Sequence, residues 1–181
     1  SFSRRQRQMC IRDSLNTIVY NFVDTLSHAR TEMDVIKELA EDESAYRSLT
    51  LSWFKHSPLY EMMKKMSENS CKVFLTTDHG TIRVKNASKV MGPKQINSNM
   101  RYKVSKNLSY NKKDVMEALN PEKISLPKNA LSSSYVFAKE NNFFVYPNNY
   151  HHFANLYNDT FQHGGISLEE MLIPYVFLKS K

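Results

Sequence analysis

The chain has 181 residues, 41% of them hydrophobic, and a net charge of +7. That length suits one domain or most of one, with enough apolar residues for a core. No apolar run approaches bilayer-spanning length and no signal-peptide pattern is present. Cys10 and Cys71 have no metal-knuckle spacing. A membrane span and a secreted disulfide scaffold are therefore excluded, and a cytoplasmic location with no membrane partner is expected.

Ser1–Ser14 holds four arginines against one aspartate and so carries +3 of the net charge. Its pattern does not continue past Ser14. It is similar to translated sequencing-adapter sequence and is expected to be a non-native leader; the alternative is a basic arm for nucleic acid or an acidic lipid surface. The domain is expected over residues 15–181. Leu15–Val23 is nearly continuous in apolar residues, which predicts a strand buried on both faces, with Asp24–Arg30 as a loop or short turn at its carboxyl end. Val35, Ile36 and Leu39 give helical spacing over Asp34–Ala40. Asp42 or Ser44 can cap a longer helix through Ala45, Leu49, Trp53 and Phe54. Ser57-Pro58 restarts the helix, with Ser as cap and Pro in the first turn. Leu59, Met62, Met63 and Met66 form its apolar stripe, read as core filler.

Cys71–Thr77 predicts a second strand, ending in Asp78-His79-Gly80, where the glycine lets the backbone turn away. Strand, helices, strand implies a right-handed crossover and a parallel sheet, with Asp24 and Asp78 facing one crevice. Thr81–Lys85 alternates and predicts a strand. Asn86–Ser98 reads as loop, Met100–Val104 as strand, Asp114–Leu119 as a short helix and Pro121–Asn129 as irregular. Ser133–Ala138 and Phe143–Tyr146 read as an antiparallel hairpin turned at Glu140–Asn142, followed by a turn at Pro147–Asn149. Ser167-Leu168-Glu169-Glu170 fits a capping box before a short helix that Pro174 ends, and Tyr175–Leu178 reads as a final strand.

Three places carry metal chemistry. Asp24 and His28 share one side of the chain, whether on a helical turn or in a tight loop. Asp78 and His79 are adjacent and diverge. His163 precedes Gly164-Gly165, which permits close backbone approach. Taken singly, each reads as an ordinary capping or surface residue. Together, two aspartates and three histidines exceed one tetrahedral zinc and suit two metals ~3.5–4 Å apart. His56 reads as a surface or capping residue, and His151-His152 as structural or on a substrate rim. Thr76, Thr77 and Thr81 lie near the ligands in the wrong context for a nucleophile. Arg83, Lys85, Arg101, Lys103 and Lys106 interleave with Tyr102 and Tyr110, the mixture that holds nucleotides; the alternative is a solvated loop and a lysine-guarded edge strand. Arg83 and Arg101 are the substrate-binding candidates.

The segments Val19-Tyr20-Asn21-Phe22-Val23-Asp24, Thr77-Asp78-His79-Gly80, Phe161-Gln162-His163-Gly164-Gly165 and Ser167-Leu168-Glu169-Glu170 resemble the alkaline phosphatase superfamily, and within it the PglZ domain, close to the effector domain of PorX-type response regulators of Bacteroidetes. The resemblance covers Leu15–Lys181. It implies an α/β fold, an alkaline-phosphatase-like sheet with helices on both faces, here a partial domain. It further implies one zinc on Asp24, His28 and His163, and a second held in part by Asp78 and His79. A further aspartate and a Thr or Ser nucleophile are expected upstream, so that this carboxyl-terminal part carries no catalytic nucleophile and is inactive alone. The implied activity is zinc-dependent phosphodiester hydrolysis of short oligonucleotides, as effector of a two-component response regulator controlling type IX secretion. A sigma factor or response-regulator partner and a homodimer are expected; the alternative is a non-catalytic signalling module that binds a transcription or secretion-regulation partner.

Overall fold

A computed structural model of the chain describes residues 9–10, 16–69, 71–93, 97–127 and 134–179. Of the expected leader, only Met9 and Cys10 fall among them. Leu15, the start of the expected first strand, lies outside, as do the end of the expected irregular stretch at Asn129 and Ser133 of the expected hairpin. The chain divides into two compact units, Ser1–Thr50 and Leu51–Lys181.

In the first unit, β1 (Met9–Cys10) pairs antiparallel with β2 (Asn16–Thr17). Three helices follow: α1 (Phe22–Glu32), α2 (Asp34–Leu39) and α3 (Glu43–Lys55), the last running past the unit boundary. The expected buried strand over Leu15–Val23 is corrected. Its strand portion is two residues long, Ile18, Val19 and Tyr20 are exposed, and Phe22 and Val23 already belong to α1. A run buried on both faces needs layers packed over both, and Asn16 to Tyr20 are exposed. The expected loop at Asp24–Arg30 is likewise helix. Leu26, Ser27 and Arg30 form its buried stripe at helical spacing. Arg30 donates from Nε to the Ala40 carbonyl (2.6 Å) and from Nη2 to that of Glu41 (3.0 Å), satisfying carbonyls at the end of α2. Asp42 caps α3 as expected, its Oδ1 accepting from the Ala45 N–H at 2.7 Å.

The second unit begins its own elements with α4 (Pro58–Glu68), where Ser57 accepts the Tyr60 N–H and Pro58 occupies the first turn. Then comes β3 (Val73–Thr76). Its ladder is antiparallel, with β12 (Tyr175–Leu178), so the expected parallel crossover sheet through this strand is also corrected: the final strand occupies its pairing edge. β4 (Ile82–Val84) pairs antiparallel with β11 (Thr160–Gln162).

The core lies in two three-stranded sheets. In one, β5 (Asn86–Met91) sits between β7 (Ser109–Tyr110), antiparallel, and β10 (Asn142–Val145), parallel. In the other, β9 (Ser134–Ala138) sits between β6 (Tyr102–Ser105) and β8 (Val115–Ala118), both antiparallel. The loop expected over Asn86–Ser98 therefore contains a six-residue strand, and the helix expected over Asp114–Leu119 is mostly strand. Polarity misled in the first case: Asn86 and Lys89 are exposed and Ser88 is polar, while Val90 is buried against Val115, Val136, Ala138 and Phe144. The expected hairpin is replaced by two strands in different sheets. The Ala138 N–H goes to the Arg101 carbonyl and the Phe144 N–H to that of Met100, so residues 100 and 101 lie where a hairpin partner would be. A helix that periodicity did not announce, α5 (Tyr150–Tyr157), packs Tyr150, Phe153 and Tyr157 on Val84, Phe143 and Val145. The final short helix α6 (Leu168–Met171) carries the expected capping box. The α/β class stands, but the sheets of the described residues have two or three strands each rather than one sheet flanked by helices. No described helix is long and apolar enough to cross a membrane.

Candidate metal centre

The candidate ligands divide between the two units. In the first, Asp24 and His28 stand one turn apart on α1, with Asp24 Oδ1 and His28 Nε2 separated by 3.6 Å. Both are well exposed. Ser27, between them on the inner face, is anchored: Tyr46 Oη lies 2.7 Å from Ser27 Oγ and donates to the Val23 carbonyl at 2.9 Å. Burial pushes the Tyr46 phenol up, its first cause, and the nearby Asp24 charge adds to that.

In the second unit, β3 delivers the Asp78-His79-Gly80 turn. The turn is closed by Thr77, whose hydroxyl donates to the His79 carbonyl at 3.1 Å. Thr76 donates to the Pro174 carbonyl at 2.8 Å, so both hydroxyls serve the local backbone. Gly80 is required by close approach: a Cβ there would lie 1.9 Å from the Glu169 carbonyl oxygen. Its N–H donates to the Glu170 carbonyl at 2.8 Å, seating the turn on α6.

His79 Nδ1 lies 3.0 Å from the Gly80 carbonyl. A carbonyl only accepts, so Nδ1 carries the proton and a neutral ring presents its lone pair at Nε2. That atom lies 3.8 Å from Asp78 Oδ1, beyond hydrogen-bond range. Two donors about 2.1 Å from one tetrahedral ion stand roughly 3.4 Å apart. The 3.6 Å and 3.8 Å separations both fit that spacing.

β11 ends at Gln162 and the next residue, His163, stacks on His79, ring centroids 3.9 Å apart and planes at 11°. In-plane lone pairs of two parallel rings cannot meet at one point. The stack therefore suits histidines that serve neighbouring ions, not a shared one. The Gly165 position is occupied from behind: a Cβ there would lie 2.6 Å from a Glu170 carboxylate oxygen.

The two expected substrate arginines differ. Arg83, on β4 opposite Phe161 in the register, is part exposed and pairs with Asp159. Arg101 is corrected: its side chain is fully buried, donating from Nε and Nη2 to the two Glu170 oxygens, each at 2.9 Å, and from Nη1 to the Asn142 carbonyl. A guanidinium consumed this way has no face left for a phosphate. Glu170 was legible only as a capping residue, because its partner lies 69 positions away. Asn99, which accepts the Arg101 and Tyr102 N–H groups and donates to the His163 carbonyl, had no sequence signal at all. His56 donates Nδ1 to the Ser52 carbonyl, and His151 and His152 lie exposed on α5.

A family model described as the BREX system PglZ alkaline phosphatase-like domain matches residues 2–178. The chain belongs to the PglZ family. No curated protein matches it. Membership makes this PglZ chain a member of an alkaline-phosphatase-like hydrolase superfamily, whose domains are typically metal-dependent. The donor set suits that dependence: carboxylate and imidazole atoms at chelating distance, one imidazole with its tautomer set by a backbone carbonyl.

Proposed function

We propose that this PglZ chain bears the metal-holding part of a zinc-dependent phosphodiesterase acting on oligonucleotide-type phosphodiesters, in an effector of the response-regulator type. The observation that carries the reading is the His79–His163 stack, with His79 Nε2 left available beside Asp78. Asp24, His28 and His163 would hold one zinc, and Asp78 and His79 would contribute to a second. Zinc in such a place supplies Lewis-acid polarisation of a phosphoryl oxygen and a water of lowered pKa.

The chain's own residues supply position. α1 sets the Asp24–His28 spacing by its periodicity, and the Gly80 turn aims His79. Arg83, next to Asp159, lies two register positions from the ligand histidine and is the substrate-facing cation retained in this reading. Thr76 and Thr77 donate to the local backbone and neither is assigned as the attacking hydroxyl. Zinc content and chromogenic phosphodiester hydrolysis of the full-length protein, measured with Asp78→Ala and His163→Ala, test this. Both are expected to fall together; unchanged zinc content with unchanged activity would end the reading.

A second reading is favoured by one observation. Leu168, Met171, Leu172 and Tyr175 are 64–71% exposed, an apolar strip along α6 and β12. A non-catalytic module would use such a strip to bind a sigma factor, a response-regulator partner or a second copy of itself. Hydrolysis by the wild type, lost on ligand substitution, rules that reading out as the sole function.

A further inference from the structure

We propose that Glu170 is the positioning residue that holds His79 and His163 against one another, by bracing both histidine turns at once. The purpose of the pair rests on the metallohydrolase reading above; the brace itself rests on contacts. The Glu170 side chain is 1% exposed. Its carboxylate accepts four bonds: Arg101 Nε and Nη2 at 2.9 Å each, the Gly165 N–H at 2.9 Å and the Ser167 N–H at 3.1 Å. That fills the acceptor capacity of a carboxylate. Its backbone carbonyl meanwhile accepts the Gly80 N–H at 2.8 Å. One residue thus grips the turn after His79 with its main chain and the turn after His163 with its side chain.

A capping box accounts for only part of this. The box needs Ser167 and Glu170 to exchange bonds, and it works at a solvent-exposed helix end. It requires neither burial nor a bidentate arginine nor a bond to Gly165. Those extras bury two charges, an arrangement that is weak evidence for stability and better explained by fixing one geometry. Arg101 extends the brace. Its N–H is accepted by Asn99, whose amide donates to the His163 carbonyl at 3.1 Å. The His163 carbonyl and the Gly165 N–H that follows it are therefore both tied to the same ion pair. The two glycines complete the fit, because a Cβ at either would enter the space of the Glu169–Glu170 backbone or the Glu170 carboxylate.

The test uses the full chain, with Glu170→Gln as the main variant, Arg101→Lys as a milder one and Glu169→Gln, exposed on the same helix, as the control. Two readouts are taken on protein shown to be folded. The first needs no metal: the His163 ring-proton resonances, compared with and without His79→Ala, report the ring-current effect of the stack. The second is zinc affinity by chelator competition. In the wild type and Glu169→Gln, His79→Ala is expected to move the His163 resonances. In the Glu170→Gln background it should no longer do so, and zinc affinity should fall about 10–100-fold, the usual cost of losing an outer-shell partner. Arg101→Lys should fall between. Should Glu170→Gln not fold, Arg101→Lys decides by the same readouts. A folded variant that keeps the His79-dependent shift and wild-type zinc affinity overturns the brace. A wild type that binds no zinc sinks the metallohydrolase reading instead, and the ring shift still decides the brace.

Discussion

The two candidate ligand pairs are built in opposite ways. Asp24 and His28 sit on one helix, 50% and 65% exposed, and their 3.6 Å separation follows from the turn of α1. His79 and His163 come from turns after two different strands, and their contact depends on the buried Glu170–Arg101 pair. The first pair needs only a helix. The second needs the tertiary structure of its whole unit. A side chain near the first pair can therefore change without moving it, whereas distant substitutions can dismantle the second.

Each prediction presses on that difference. The largest effect is expected on activity. His163→Ala and Asp24→Ala should each lower kcat/KM of the full-length protein by about 10³-fold, roughly 4 kcal/mol of transition-state stabilisation, with zinc content falling alike. Loss at only one of the pairs would show that they do not serve one reaction. Next is Gly80→Ala, which places a Cβ 1.9 Å from a backbone oxygen and should cost about 3 kcal/mol in chemical denaturation.

Acid offers a graded test of the braced pair. Burial alone would raise the Glu170 carboxyl, but the hydrogen bonds and charge of Arg101, with the Gly165 and Ser167 N–H groups, outweigh it and hold the carboxyl below the usual range. A depressed carboxyl stabilises the fold above its unfolded pKa of about 4.3, and that contribution disappears as pH falls through the folded value. Unfolding midpoints measured from pH 6 downward should drop steeply, and Glu170→Gln should flatten the acid limb.

Lys103 sharpens the comparison from the other side. It is buried two positions from Arg101, but its Nζ donates to the Asn97 carbonyl rather than to a carboxylate, and burial pushes its pKa down to about 8. The unfolded chain holds that proton up to about pH 10.4, so stability should rise between pH 8 and 10. Lys103→Met should add about 1–2 kcal/mol at pH 7, an advantage that shrinks toward pH 10. The smallest effect belongs to the exposed pair. Asp24→Asn should leave unfolding within about 0.5 kcal/mol of wild type while zinc binding weakens.

Legibility in the sequence divides along the same line. The Asp24–His28 spacing, the Ser57 and Asp42 caps, the Ser167–Glu170 box and the strands at Val73–Thr76 and Tyr175–Leu178 all rest on neighbours within a few residues, and all are present. The strand β5 hid behind the polar residues Asn86, Ser88 and Lys89 within it, and β8 behind a short run that fits a helix equally well. The buried role of Arg101 could not be seen among the basic residues around it, since nothing local distinguishes a guanidinium awaiting phosphate from one awaiting Glu170.

By itself the sequence determined the α/β class and the helix caps at Asp42, Ser57 and Ser167, because those depend on short-range periodicity and hydrogen bonding. Only the tertiary structure decided which strands pair, which arginine is spent inside the fold and which histidines meet. Those outcomes are set by competition among distant groups for the same ladder edges and the same carboxylate.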